Sequence, residues 1–365
     1  MQINPAESSG LFPVQIVQQG GEAIAGDDEL MASRASSLFD VVFGQFGILG
    51  AVRCAERAVN LGAGNLVRFQ DPLLHVKARI QFFGQGLKCL DAIEADASGG
   101  LRIGALVKLH ALATHPIVRA KYAVLANSAN EAATPQIRNL ATVGGNLLQR
   151  PRCWYFRNPD VHCLKKGGDR CYAVGGLNRY HAILGGGPSF IVHPSNLAPA
   201  LIALGASIKL VGPAGARSIE LEQFFTLPKI DPSRENVLQA GEVIIEIVVP
   251  APPVGSRGVY IEAREKQSFD WPLVSVAAVV MFDHGHVARA ARIVMGAVAP
   301  IPWRAPQAEQ VIVGSRVNYE LATRAADAAL SGAAPLTENG YKVPIAKALV
   351  RRAILRAAGV TEEPS

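Results

Sequence analysis

Charge is scarce in this sequence. Only 18% of its 365 residues are Asp, Glu, Lys or Arg, against about 25% in an ordinary soluble domain. With 49% hydrophobic residues, such a chain reads either as one that buries surface against a partner or as a merely well-packed enzyme. The net charge is +6, but the cations are scattered apart from Arg150, Arg152, Arg157, Lys165, Lys166, Arg170 and Arg179. No recognition helix, RNP run or zinc-finger spacing accompanies them, which argues against nucleic acid. Five cysteines are too few for a disulfide scaffold. No basic segment precedes an apolar stretch in "MQINPAESSGLF", so no export signal is expected in the chain itself. The run "LFDVVFGQFGILGAV" is too short and glycine-broken to span a bilayer, so no membrane insertion is expected. Neither G-x-G-x-x-G before a helix nor G-x-x-x-x-G-K-[ST] occurs, which excludes a Rossmann fingerprint and a P-loop.

What is present begins to read clearly near Leu87. "GLRIGALVKLHAL" predicts a strand over Leu101–Ala105 and then a helix start, and "IVRAKYAVLANSANEAA" has helical spacing. "TPQIRNLATVGGNLLQR" reads as turn, short strand and glycine loop. "HPSNLAPALIALGASIKLVG" reads as a helix closed by Gly205 and followed by a strand. A second unit starts near Val243 with "EVIIEIVVP", continues as strand, turn and strand, and ends in helices. Strands and helices segregate rather than alternate, so the expected class is α+β. The expected domains are residues 1–240, with residues 1–60 divergent and 150–185 an insert, and residues 241–365.

Two local patterns carry chemistry. Gly144, Gly145 and Asn146 form a loop in which backbone N–H groups can face an anion, although a hairpin turn uses the same residues. Directly after it, Cys153, Cys163 and Cys171 follow the spacing C-x9-C-x7-C. The tight cysteine pair of a zinc site is missing. Three thiols on a glycine-containing loop amid positive charge suit an iron–sulfur cluster, or else a purely structural loop. Cys54 and Cys89 are remote and read as buried apolar residues.

The stretch "TPQIRNLATVGGNLLQ" resembles the flavin-contacting segment of FAD-binding subunits in the xanthine dehydrogenase/molybdenum hydroxylase family. The resemblance extends from about Leu87 to Ala305 and on into the helical C-terminus. It implies a two-part FAD-binding domain of the PCMH type followed by a smaller α+β flavoprotein domain. By position it implicates Ala141, Thr142, Gly144, Gly145, Asn146 and Gln149 in FAD binding. "REKQSFDWPLVSVAAVV" resembles the start of the family's C-terminal domain, making Lys266 a candidate flavin neighbour. Upstream, "NLGAGNLVRF" stands where the family has a phosphate loop; Gly62, Gly64 and Asn65 are its nearest equivalents, without the family's Thr. Asn196 occupies a position commonly filled by Asp, where an amide still hydrogen-bonds.

One branch of the family, including bacterial aldehyde oxidoreductases of the periplasmic type, carries a [4Fe-4S] insert after the glycine loop. "NLLQRPRCWYF" with the following cysteines resembles that branch. The ligand set implied is Cys153, Cys163 and Cys171, with His181 the leading candidate for the fourth position and His162 a weaker one. Another member type has its fourth cysteine where Tyr180 stands here. The implied function is electron transfer through FAD in a complex with a molybdopterin-containing large subunit and a [2Fe-2S] small subunit, the substrate being oxidised in the large one. The expected location is cytoplasmic, or periplasmic by export with a signal-bearing partner. No general acid or base is nominated. The alternatives are a stand-alone flavin oxidase sharing the FAD fold and a degraded scaffold paralogue without FAD.

Overall fold

The fold is that of a computed structural model, which describes residues 90–266 and 269–361. Gly62, Gly64, Asn65, Cys54, Cys89 and the divergent residues 1–60 lie outside the described residues.

Two antiparallel sheets organise the described chain. The first joins β1 (Ile93–Ala95), β2 (Leu101–Gly104), β3 (Ser207–Gly212), β4 (Gly215–Glu220) and β5 (Val243–Val249) in the order β1-β2-β5-β3-β4. Alternation is clean on β3, where Ile208 and Leu210 face inward and Lys209 does not. The inward face is covered by α1 (Leu109–Thr114), α3 (Ala123–Glu131) and α7 (Leu197–Ala203), with α2 (Pro116–Lys121) leading into α3. Leu101, Ile103, Leu112, Leu125, Leu201 and Ile247 are fully buried in this core. Each such side chain contributes about 1.5–3 kcal/mol over remaining exposed. Gly205 follows α7 at φ +72°, a backbone geometry that costs glycine nothing.

The second sheet contains β6 (Ser256–Ala263), β7 (Val274–Phe282), β8 (Ala288–Gly296) and β9 (Trp303–Arg304), paired in that order. Helices α8 (Pro306–Ile312), α9 (Tyr319–Ala329) and α10 (Lys342–Ala358) cover one face. The other face packs on the first core: Tyr260, Ala277 and Val294 belong to it, whereas Val276, Ala278, Val280 and Ile293 face the helices. Cover on both faces explains why "LVSVAAVVMF" is apolar throughout except for Ser275.

The expected boundary at residue 241 requires correction. β5 pairs with both β2 and β3, placing Val243–Val249 inside the first sheet. The turn between Pro250 and Gly255 therefore separates the two sheets.

Candidate functional site

The glycine segment is helical, in contrast to the expected strand and loop. Pro135–Leu140 forms α4 and Val143–Leu147 forms α5. Threonines set both starts. Thr134 Oγ1 accepts from the Ile137 N–H at 3.3 Å, and Thr142 Oγ1 accepts from the Gly145 N–H at 3.1 Å. These are N-caps, and Pro135 sits at the first helical position where its missing N–H costs nothing.

The expected anion nest does not form. The Val143 N–H donates to Val107 O at 2.9 Å and the Gly144 N–H to Ala105 O at 2.8 Å. What the glycines provide instead is close approach. A Cβ on Gly144 would stand 3.0 Å from Ala105 O, so α5 lies flat on the loop between β2 and α1. Gly145 is exposed and presents bare backbone. Asn146 is buried: its Oδ1 accepts from Ser195 Oγ at 2.6 Å and from the Leu197 N–H at 3.3 Å. The glycine segment and the start of α7 thus hold each other in place.

Above this platform opens a cleft of about 990 Å³. It gathers Ala141, Thr142, Gly144, Gly145, Asn146, Gln149 and Asn196, every described candidate flavin residue except Lys266. Large apolar groups stand exposed in its walls, with Leu140 at 76%, Phe269 at 57% and Trp271 at 48% exposure. The Arg152 guanidinium lies 3.9 Å from the Trp271 ring centre and donates to Gln149 Oε1 at 2.9 Å. Exposed rings, aliphatic walls, a cation and a glycine backbone fit a cofactor with flat aromatic groups and phosphates. Sequence reading missed Arg152, Phe269 and Trp271, because nothing local marks side chains that meet across a fold.

Lys266 is exposed and lines a second cavity of about 550 Å³ with Glu131, Tyr260, Glu262, Arg264, Arg352 and Arg356. Glu131 borders both spaces.

The three cysteines lie on the loop after α5. Cys153 caps the short helix α6 (Trp154–Arg157), Cys163 is buried, and Cys171 is half-buried. Burial raises the Cys153 thiol, and the neighbouring Cys171 and Cys163 thiols raise it further. His181 Nε2 lies 3.2 Å from Cys153 Sγ. Burial lowers this imidazole to about 4, leaving it neutral, and its Nδ1 has no hydrogen-bond partner among the described residues. Among the described residues no three His, Cys, Asp or Glu side chains close to the spacing of a single metal ion. His162 sits beside Cys163, Gly168 packing against its carbonyl. Tyr180 points its ring toward Trp154.

This loop is anchored on both sides. Buried Lys165 donates to Pro232 O and Arg234 O, each at 3.1 Å, and pairs with Glu235 at 3.2 Å. Asn339 donates to the carbonyls of His181 and Ala182, each at 3.1 Å, and Lys342 donates to His181 O at 3.2 Å.

Residues 76–252 match the family model described as the FAD binding domain in molybdopterin dehydrogenase. Residues 259–357 match the CO dehydrogenase flavoprotein C-terminal domain. The chain is 39% identical over 262 residues to the aldehyde oxidoreductase FAD-binding subunit PaoB of Escherichia coli K12, covering 71% of this chain and 78% of that one. It is 28% identical to the carbon monoxide dehydrogenase medium chain of Hydrogenophaga pseudoflava, covering 69% and 72%. Among solved structures, a Cu,Mo-CO dehydrogenase chain shares the fold at a TM-score of 0.58 and 23% identity, covering 75% and 80%.

Proposed function

The chain belongs to the family of FAD-binding subunits of the xanthine dehydrogenase and CO dehydrogenase type, and from that membership we propose how its parts serve a molybdenum hydroxylase. The family function is electron transfer by an FAD-carrying oxidoreductase subunit. Its substrate is an aldehyde or a related molecule, oxidised in a molybdopterin-containing large subunit, with a [2Fe-2S] small subunit between. Similarity to the aldehyde oxidoreductase subunit supports the aldehyde class.

The observation that carries the flavin assignment is the cleft floored by Gly144 and Gly145. Bound there, FAD supplies a carrier that accepts and releases electrons, the protein supplying position and electrostatics. The bare backbone at Gly145 admits the cofactor at contact distance. Leu140, Phe269 and Trp271 exclude water from flat rings, and Arg152 stands against phosphate charge. The upstream residues Gly62, Gly64 and Asn65 are assigned to the same cofactor by their position in the sequence. Lys266 is assigned to the edge of the site, on the side of the second cavity.

Cys153, Cys163, Cys171 and His181 are assigned to a [4Fe-4S] cluster, which supplies a one-electron relay. A neutral imidazole against a thiol, with two further thiols within electrostatic reach, supports this set. A cubane spreads its ligands over a larger body than one ion does, so the lack of single-ion spacing is compatible with it. Lys165, Lys342 and Asn339 fix the loop from both sheets' domains.

Iron analysis with visible absorbance tests the cluster. Replacing any one of the three cysteines with Ser is expected to remove most of the iron and the broad cluster absorbance while FAD stays bound. His181→Ala is expected to do the same. A wild-type protein purified anaerobically with flavin but no iron contradicts the cluster assignment.

A further inference from the structure

A buried polar seam separates the flavin cleft from the second cavity. Glu262, on β6, lines the second cavity and keeps only 5% of its side chain exposed. Its Oε2 accepts from Tyr260 Oη at 2.9 Å and from Asn196 Nδ2 at 3.3 Å. Asn196, at the start of α7, is itself part of the cleft wall. The other oxygen, Oε1, is held by Arg264 Nε. Arg264 also reaches Glu131 at the end of α3, at 2.9 Å. Tyr260 is buried beneath the carboxylate, and Lys266, Arg352 and Arg356 line the cavity's remaining side.

Resting on the flavin assignment of the first cleft, we propose that Glu262 is a redox-linked proton site, loaded from water in the second cavity when electrons enter the cleft. Electrons added to the cleft place negative charge one residue, Asn196, from a buried carboxylate. In a water-poor seam that repulsion is strong, and the carboxylate is the group able to relieve it by binding a proton. The exchange balances. Two electrons arrive from the partner subunits' centres, and one proton passes from cavity water to a Glu262 oxygen. When the electrons leave for the acceptor, the proton returns to the same water. Protons taken by the flavin ring are additional.

Four features favour Glu262 over its neighbours. Burial already raises its carboxyl above the usual range, only partly offset by Arg264 and Tyr260. Glu131 is half-exposed, so solvent screens it. Tyr260 is raised far above its ordinary value by burial and by Glu262 and stays protonated throughout. Asn196 is an amide and does not titrate, so the seam holds one changeable charge. The cations Arg264, Lys266, Arg352 and Arg356 oppose protonation, and burial opposes them.

Linkage makes the effect reciprocal: if reduction tightens proton binding at Glu262, protonation favours reduction by the same factor. The test is the flavin midpoint potential of the FAD-loaded complex measured from pH 5 to 9, in wild type and Glu262→Gln. The wild type is expected to show an inflection beyond that of free FAD, corresponding to about a tenfold change in Glu262 proton affinity. Glu262→Gln is expected to lose the inflection while retaining FAD, and Glu262→Asp to keep it, displaced in pH. A second readout needs no variant. The infrared difference spectrum of wild type on reduction is expected to gain a carboxylic-acid carbonyl band that shifts with labelled glutamate. Identical potential–pH curves in wild type and Glu262→Gln, or no such band, overturn the proposal and leave the flavin assignment standing. A complex that binds no FAD overturns both.

Discussion

Gly144 and Gly145 are neighbours with different reasons to be glycine. At Gly144 the missing Cβ admits the backbone of Ala105; at Gly145 it spares the capping Thr142 hydroxyl, which would stand 2.9 Å from a Cβ, and leaves the cleft floor bare. A methyl at Gly144 meets fixed backbone on one side, so Gly144→Ala is expected to destabilise the chain by about 1–3 kcal/mol, read by denaturant unfolding. A change inside about 0.5 kcal/mol contradicts the close-packing account. The identities of these residues were legible in the sequence because the segment is long and specific. Their hydrogen bonds were not. Val107 and Ala105 accept from Val143 and Gly144 across a separation of roughly forty residues, and no local pattern announces such a partner. The same holds for Arg152 over Trp271. His181 was legible as a candidate from its place beside the fourth-ligand position, and the structure puts it against Cys153.

At the scale of elements, strands with strict alternation such as β3 were readable, as were the long helices α9 and α10. The short α4 and α5 were not. Five or six residues do not complete two helical turns, so periodicity has nothing to register, and only the threonine caps and Pro135 signal a helix. β5 was recognised as a strand but given to the wrong sheet, since a run of β-branched residues does not name its neighbours. Its partners are fixed in part by charge. Glu246 on β5 pairs with Arg102 on β2 and Lys209 on β3, each at 2.6 Å. Burial alone would raise the Glu246 carboxyl, but hydrogen bonds from Arg102 and Lys209 outweigh it and hold the group below its usual range. A carboxylate lowered in the folded state stabilises the fold above its unfolded value of about 4.3 and loses that contribution as pH falls through the folded value. Both cations are nearly half-exposed, which keeps the contribution small. Glu246→Gln is therefore expected to cost about 0.5–1 kcal/mol at pH 7, and less at an acidic pH below the usual carboxylate range, where the wild-type carboxylate is taking up its proton. Thermal unfolding at the two pH values checks this, and an equal cost at both contradicts it.

For the whole molecule, composition was informative early. A chain with 18% charged residues and a mean hydropathy of +0.20 has the composition expected where surface is buried against partners. No described helix is long and apolar enough to cross a membrane. Expressed alone, the chain is expected to aggregate or to capture its large and small partner subunits, as read by size-exclusion chromatography. A stable monomer that turns over an aldehyde unaided contradicts the relay role. The two-sheet α+β architecture followed from segregated elements and from the family resemblance together, and the matches at residues 76–252 and 259–357 agree with it. The central claim is that the Gly144–Gly145 platform holds FAD. Its most direct measurement is the FAD released by acid from the purified complex, per copy of this chain, in wild type and Gly145→Asp. The account predicts about one FAD per wild-type chain and nearly none in the variant, because a charged side chain fills the place of the bare backbone. Full FAD retention in a folded Gly145→Asp complex contradicts it.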